Sequence, residues 1–336
     1  MYSAGFWPAW RLEREDECYL ITFARLLCNT VTNSCRLLSR ENSFYLFSRK
    51  CFDSRLRSGP TSLEAGPVFF AHPSVAVAGH RLVGGHSVSA AIGLENLTVA
   101  YERRPAVHHI SGRFEAGSLT AIVGPNGAGK STLIKAIAGT MKPAQGHVDR
   151  GRLATRTIGY LPQAAEIDRS FPLSVADTVS MGAWHSIGPF QSLTRNHARL
   201  TQEALHTVGL EGFEARSVGS LSSGQFQRVL FARLLLQDAS VILLDEPFTA
   251  IDARTTRDLL ELVRVWHGQG RTVIAVLHDI EQVRQHFPQT LLMAREAIAW
   301  GETSHVLSDA NLRKARNMAE YWSPDASLCD NEDERS

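Results

Sequence analysis

Nine residues, GPNGAGKST at 124–132, constrain this chain more than any other stretch. They fit the pattern G-x-x-x-x-G-K-[S/T], with Gly124, Gly129, Lys130 and Ser131 at the defining positions. Each position has a physical reason. Small residues let backbone N–H groups turn inward around phosphate oxygens. Lys130 brings a point charge to the β and γ phosphates, and the Ser131 hydroxyl is a ligand for Mg²⁺. A helix beginning here adds the positive end of its dipole. The flanks agree: the apolar run SLTAIVG (118–124) reads as a buried strand feeding the loop. STLIKAIAGTM follows, with Leu133, Ile134, Ile137 and Ala138 at helical spacing.

Other apolar runs repeat the theme. GLENLTVAY, VILLDEP (241–247) and TVIAVLHD (272–279) read as strands, and helical segments alternate with them from Ile92 onward. Runs this apolar belong to a parallel sheet covered on both faces, so the expected class is α/β. Between Gln163 and Leu221 a mostly helical stretch interrupts the strands, including SVADTVSMGAW and RNHARLTQEALHTVGL. VILLDEP ends in two acids. Asp245, at a strand end, suits Mg²⁺ opposite Ser131, and Glu246 suits a general base that polarises water beside a triphosphate.

Composition narrows the reading. Lys+Arg number 35 against 34 Asp+Glu, a net charge of +1, without the basic excess of a nucleic-acid binder. Only five of the basic residues are lysines: Lys50, Lys130, Lys135, Lys142 and Lys314. In a chain that uses Arg nearly everywhere else, a surviving Lys is a candidate for a specific need. The five cysteines, Cys18, Cys28, Cys35, Cys51 and Cys329, form no CxxC pair and read as free thiols of a reducing compartment. No run of 18 apolar residues is present. Residues 1–91 show no sustained period, and 58–91 are rich in Gly, Ser, Pro and Ala. They read as an extension without packing elements or as upstream sequence from a misplaced start. A metal-sensing arm using His72, His80 and His86 is the sharper alternative. Residues 318–336 turn polar and acidic and read as a tail.

LSSGQFQRV (221–229), just before the apolar strand ending in Asp-Glu, resembles the signature motif of ATP-binding cassette (ABC) ATPases. The resemblance covers about 92–317 and implies that family's fold: a phosphate-loop, RecA-like core with an antiparallel β subdomain and a helical subdomain inserted at about 164–220. It implies ATP and Mg²⁺ as nucleotide and cofactor. Gly124, Pro125, Asn126, Gly127, Ala128, Gly129, Lys130, Ser131 and Thr132 match the ATP-binding loop. Tyr101, 23 residues before Gly124, matches the aromatic that stacks on adenine, a contact worth ~1–3 kcal/mol. Gln163 matches the glutamine that touches Mg²⁺ and the attacking water, so that Ser131, Gln163 and Asp245 form the implied metal set. His278, in VLHD, matches the switch histidine on the γ-phosphate, and Asp252, in TAID, the loop at the dimer interface. Leu221, Ser222, Ser223, Gly224 and Gln225 are implied to act on a partner subunit's ATP. The family has Gly where this chain has Ser223, a replacement tolerable unless the backbone there needs a positive φ.

One chain carries one set of motifs, so the resemblance implies pairing with a second copy around ATP. It also implies docking on a separate membrane permease through the surface near Phe171 to Trp184, placing the chain peripherally at the cytoplasmic face. PQAAEIDRSFPLSVADTVSMGAW is similar to the manganese and zinc importer branch, and most like its zinc members, which adds a separate extracytoplasmic metal-binding protein as a partner. Zinc is therefore the expected cargo, with manganese as the alternative. Cassette ATPases of DNA repair or translation carry paired cassettes, coiled-coil insertions or basic patches, none of which this sequence has, so no nucleic-acid partner is expected. A guanine-selecting N-K-x-D tetrapeptide is absent.

Overall fold

The computed structural model describes residues 90–321 apart from 102–103, 152, 154–156 and 188–191. Readings that fall on 1–89 and 322–336, including the three linker histidines, lie outside the described residues. The strands are β1 (Ile92–Tyr101), β2 (Arg104–Phe114), β3 (Leu119–Val123), β4 (Gln145–Asp149), β5 (Ile158–Leu161), β6 (Val241–Asp245), β7 (Thr272–Val276), β8 (Gln289–Ala294) and β9 (Glu296–Glu302). The main helices are α1 (Lys130–Ala138), α2 (Val175–Ser180), α3 (Arg195–Thr207), α4 (Ser223–Gln237), α5 (Ala253–Gly268), α6 (Ile280–His286) and α7 (Asp309–Tyr321).

A six-stranded sheet runs in the order β5-β6-β7-β3-β8-β9, parallel except for β9. Every residue of β3, β6 and β7 is buried. Their side chains alternate between two cores, as the two-residue period of a strand requires. Ala121, Val123, Ile242, Leu244, Val273 and Ala275 face the core that holds α4 and α5. Ile122, Val241, Leu243, Ile274 and Val276 face a second core with α1 and the antiparallel sheet β2-β1-β4. Apolar runs without alternation are the mark of a strand covered twice.

The expected helical insertion lies between β5 and β6. Ser174 and Asp177 cap α2 with a reciprocal capping box, and Thr194 and His197 do the same for α3. Val175 N–H donates to Arg216 C=O at 2.9 Å, closing the subdomain on itself. Helix α4 is buried on nearly all sides, because it lies between this subdomain and the sheet. Within it, Phe231 stacks on Trp266 of α5 at 5.6 Å between ring centroids.

At the margins, β1 begins at Ile92 as the sequence indicates, but Ala90 is already engaged: Thr272 Oγ1 donates to its carbonyl at 2.7 Å. At the other end α7 continues past residue 317 to Tyr321.

Candidate nucleotide site

Strands β3, β5, β6 and β7 all end at one edge, and the expected site residues follow them there. The register pairs Ile122 and Asp245 with Val276, and Leu161 with Leu244. The loop after β3, the turn after β5, the acids at the end of β6 and His278 after β7 therefore share one rim, where open α/β sheets bind ligands.

The loop 124–129 turns sharply into α1. Gly129 caps α1 with φ 86°, and a Cβ there would lie 2.1 Å from the carbonyl oxygen of Ala106. Only glycine satisfies both demands. From the other side Arg295 N–H donates to Ala128 C=O at 2.9 Å, so β2 and the β8–β9 turn brace the loop. Lys130 Nζ donates to the carbonyls of Gly124 (3.0 Å) and Pro125 (2.9 Å), which holds the ammonium inside the loop. Burial lowers the Lys130 pKa, and the charges of Glu246 and Asp245 oppose that shift. Asn126 and Gly127 are exposed at the loop's crest, and Thr132 is buried behind it.

Ser131 Oγ donates to Asp245 Oδ1 at 2.9 Å. Asp245 is fully buried, and desolvation raises its pKa to about 6 against the opposing influence of the Ser131 hydrogen bond. Its Oδ2 makes no hydrogen bond, and neither does the buried hydroxyl of Tyr160. Burial pushes the Tyr160 phenol far above its ordinary range. A buried carboxylate oxygen without a partner, next to a hydroxyl, is the donor set of a hard divalent cation. The residues present thus fit the implied Mg²⁺. Gln163 follows β5 by two residues, on the same rim, since Leu161 at the end of β5 pairs with Leu244 next to Asp245.

Glu246 adopts φ 48°, a left-handed conformation costly for a residue with a side chain. His278 Nε2 meets its Oε1 at 2.5 Å, and Thr249 Oγ1 donates to Oε2 at 3.3 Å. Tyr101 ends β1, half exposed, paired with Arg104 in the hairpin whose second strand abuts Gly129.

The signature residues lie elsewhere. Leu221 is buried, Ser222 is the N-cap of α4, and Ser222 and Gln225 form a capping box. Ser223 is the first helical residue and has no positive φ, so the departure from glycine meets no backbone obstacle. Its hydroxyl donates to Ala250 C=O at 2.8 Å. Gly224 packs against Asp252, which caps α5 and accepts from Thr255 N–H at 2.9 Å. Among the described residues no hydrogen bond joins 221–225 to the loop 124–132. The signature residues instead bond within α4 and to the loop before α5.

Two participants escaped the sequence reading. Lys135 Nζ meets Glu166 Oε1 at 2.7 Å, joining α1 to the turn after Gln163. The scarcity of lysine, together with the four-residue spacing from Ser131, was the available signal. The other is Arg233 of α4. It lies under an apolar groove between the Gln163 turn and α2, lined by Pro162, Ile167, Leu173, Met181, Phe226 and Leu230. Its Nε makes no hydrogen bond, and burial lowers its pKa to about 10. Among the described residues no helix is long and apolar enough to cross a membrane, and no cluster of His, Cys, Asp and Glu has the form of a metal site.

Fold, loop and rim together define a phosphate-loop nucleoside triphosphatase. A family model described as "ABC transporter" matches residues 107–249. Over 244 residues the chain is 38% identical to the manganese transport system ATP-binding protein MntB of Halalkalibacterium halodurans, covering 70% of this chain and 96% of that one. It is 37% identical over 229 residues to the zinc transport system ATP-binding protein TroB of Treponema pallidum, covering 67% and 86%. Among solved structures, a transporter described as of the metal-chelate ABC type, in an inward-facing conformation, matches with a TM-score of 0.61 at 31% identity, covering 68% of this chain and 89% of that one. A dimeric bacterial ABC transporter cassette matches with a TM-score of 0.56 at 25% identity, covering 63% and 98%. The chain belongs to the ABC transporter ATP-binding family.

Proposed function

We propose that the chain is the ATP-hydrolysing subunit of an importer for a divalent metal, acting as a pair of identical copies docked on a membrane permease. The observation that carries hydrolysis is the Glu246–His278 contact at 2.5 Å, on the rim that also holds Lys130, Ser131 and Asp245. Lys130 and the N–H groups of the loop bind the β and γ phosphates. Tyr101 supplies a face for the adenine, and Pro125 to Thr132 shape the cradle. Ser131, Asp245 and Gln163 would hold Mg²⁺, which when bound would offset phosphate charge. Glu246 accepts the proton of the attacking water, and His278 orients Glu246 and donates toward the γ-phosphate.

Pairing is supported by the likeness to a dimeric cassette and by the lack, among the described residues, of any hydrogen bond between 221–225 and 124–132. In the pair, Ser222, Gly224 and the start of α4 close over the partner's nucleotide, with the Asp252 loop at the seam. The groove above Arg233 is the surface we assign to the permease, with the chain held peripherally at the cytoplasmic face of the membrane. For cargo we propose zinc, on the IDRSFPLSVADTV segment and the likeness to TroB. Manganese is the second reading, favoured by the likeness to MntB. A separate extracytoplasmic metal-binding protein would deliver the ion.

Two measurements test the proposal. Purified protein should release phosphate from Mg-ATP, and Glu246→Gln should retain ATP but release none. Phosphate release by that variant at the parent's rate would remove Glu246 from its role. Cells lacking the gene should grow poorly under metal chelation and lose cellular zinc. Depleted manganese with normal zinc would transfer the cargo to manganese, and an unchanged content of both would leave only the ATPase.

A further inference from the structure

Five lysines survive in an arginine-rich chain, and Lys130 accounts for one. Lys135 stands four residues after Ser131, so both project from the same face of α1. Each grips a different part of the rim. Ser131 Oγ reaches Asp245 at the end of β6 (2.9 Å), and Lys135 Nζ reaches Glu166 in the turn after β5 (2.7 Å). That turn is closed by Glu166 N–H donating to the carbonyl of Gln163 at 3.0 Å. Immediately beyond it, Ile167 and Asp168 line the groove above Arg233.

We propose that the Lys135–Glu166 pair is a positioning strut. It sets the distance between the phosphate-loop helix and the Gln163 turn, and so places Gln163 toward the Ser131–Asp245 pair and the attacking water. The strut rests on the ATPase reading given above. Its geometry separates two properties. Nucleotide binding depends on the loop and Lys130, which the pair does not touch. Turnover and the Mg²⁺ requirement depend on Gln163, which it does. The turn that the strut holds is flanked on both sides by residues of the groove, Pro162 before it and Ile167 and Asp168 after it. The two side chains are about one-quarter and one-third exposed, so replacing them leaves no buried cavity.

The test uses the full chain, with phosphate release followed against ATP and against Mg²⁺, and with thermal melting in parallel. Lys135→Met and Glu166→Gln should each lower kcat about tenfold, within the range that small misplacements of reacting groups produce. KM for ATP should stay within about twofold, and the half-saturating Mg²⁺ concentration should rise about threefold or more. The double variant should turn over no more slowly than Lys135→Met alone, because one interaction can be lost only once. Glu166→Gln is isosteric and keeps the question answerable if Lys135→Met fails to fold. Unchanged kcat in Glu166→Gln overturns the strut. So does an additive loss of about a hundredfold in the double variant, or a lowered melting temperature with an unaltered Mg²⁺ response. A parent protein that hydrolyses no Mg-ATP overturns the ATPase reading itself, whereas an active parent matched by active variants overturns the strut alone.

Discussion

Asp245 is a carboxyl group held where water does not reach, with one oxygen on Ser131 and the other without a partner. Its pKa in the folded chain, about 6, lies above the ordinary carboxylate value of 3.8. The sign of the linkage follows. Between about pH 4 and 6 the folded state binds more protons than the unfolded one, so stability from this group is present at low pH and lost as pH rises through 6. At pH 7 the buried charge costs on the order of 3 kcal/mol at most. Asp245→Asn should therefore melt above the parent at pH 7 without Mg²⁺, and the difference should shrink toward pH 5, as scanning calorimetry at the two pH values would show. A difference that widens on acidification would contradict the burial argument. At Lys130, replacement by Ala removes the loop's only side-chain charge and should abolish ATP binding in equilibrium dialysis, while the fold, braced by Gly129 and Arg295, persists.

At the scale of elements, the residue that most limits the helical subdomain is Gly182, just after α2. A Cβ there would lie 2.2 Å from the carbonyl oxygen of Arg233 and 3.1 Å from Leu236 Cβ. The chain must pass this close for Val175, Val179 and Ala183 to reach the core beside α4. Gly182→Ala should force α2 away from α4 and cost about 1–3 kcal/mol, the usual range for overpacking. A fall of several degrees in melting temperature, with the groove above Arg233 opened, is the expected outcome. An unchanged melting curve would mean that the subdomain relaxes freely at this contact. The spacing V-x-D-x-V-x-x-G from 175 to 182 was visible in the sequence. The reason for its glycine was not, because Arg233 is fifty-one positions further along the chain.

For the whole molecule, the first strand begins at Ile92, and the sequence of residues 1–91 carries no sustained period of a packing element. Removing residues 1–88 should leave ATP hydrolysis intact within a few fold. ATP-driven pairing should also survive, seen as a doubled mass in gel filtration of the Glu246→Gln form with ATP and Mg²⁺. Cutting two or more residues later should do more harm, because the Ala90 carbonyl that receives Thr272 Oγ1 would be lost. Loss of soluble protein or of activity in the shorter deletion would make the N-terminal segment part of the fold.

The sequence alone determined what local chemistry can determine. A loop of small residues ending in Gly-Lys-Ser needs no distant partner to declare a phosphate cradle, and an apolar run ending in Asp-Glu declares a buried strand with its acids at the rim. Class, order of elements, and the positions of Lys130, Ser131, Asp245 and Glu246 were legible for that reason, whereas His278 and Gln163 were singled out only through the family resemblance. What remained hidden depends on register and on approach between segments far apart in the chain. The division of strand residues between two cores, the Asp245 oxygen without a partner, the Lys135–Glu166 bridge and the turn of Ser223 toward Ala250 are of this kind. Local periodicity says which face of an element is apolar. Which charge meets which across the fold is set only when the β5–β6–β7–β3 sheet brings its strand ends to one edge, since parallel neighbours are joined by long crossovers and share no local signal.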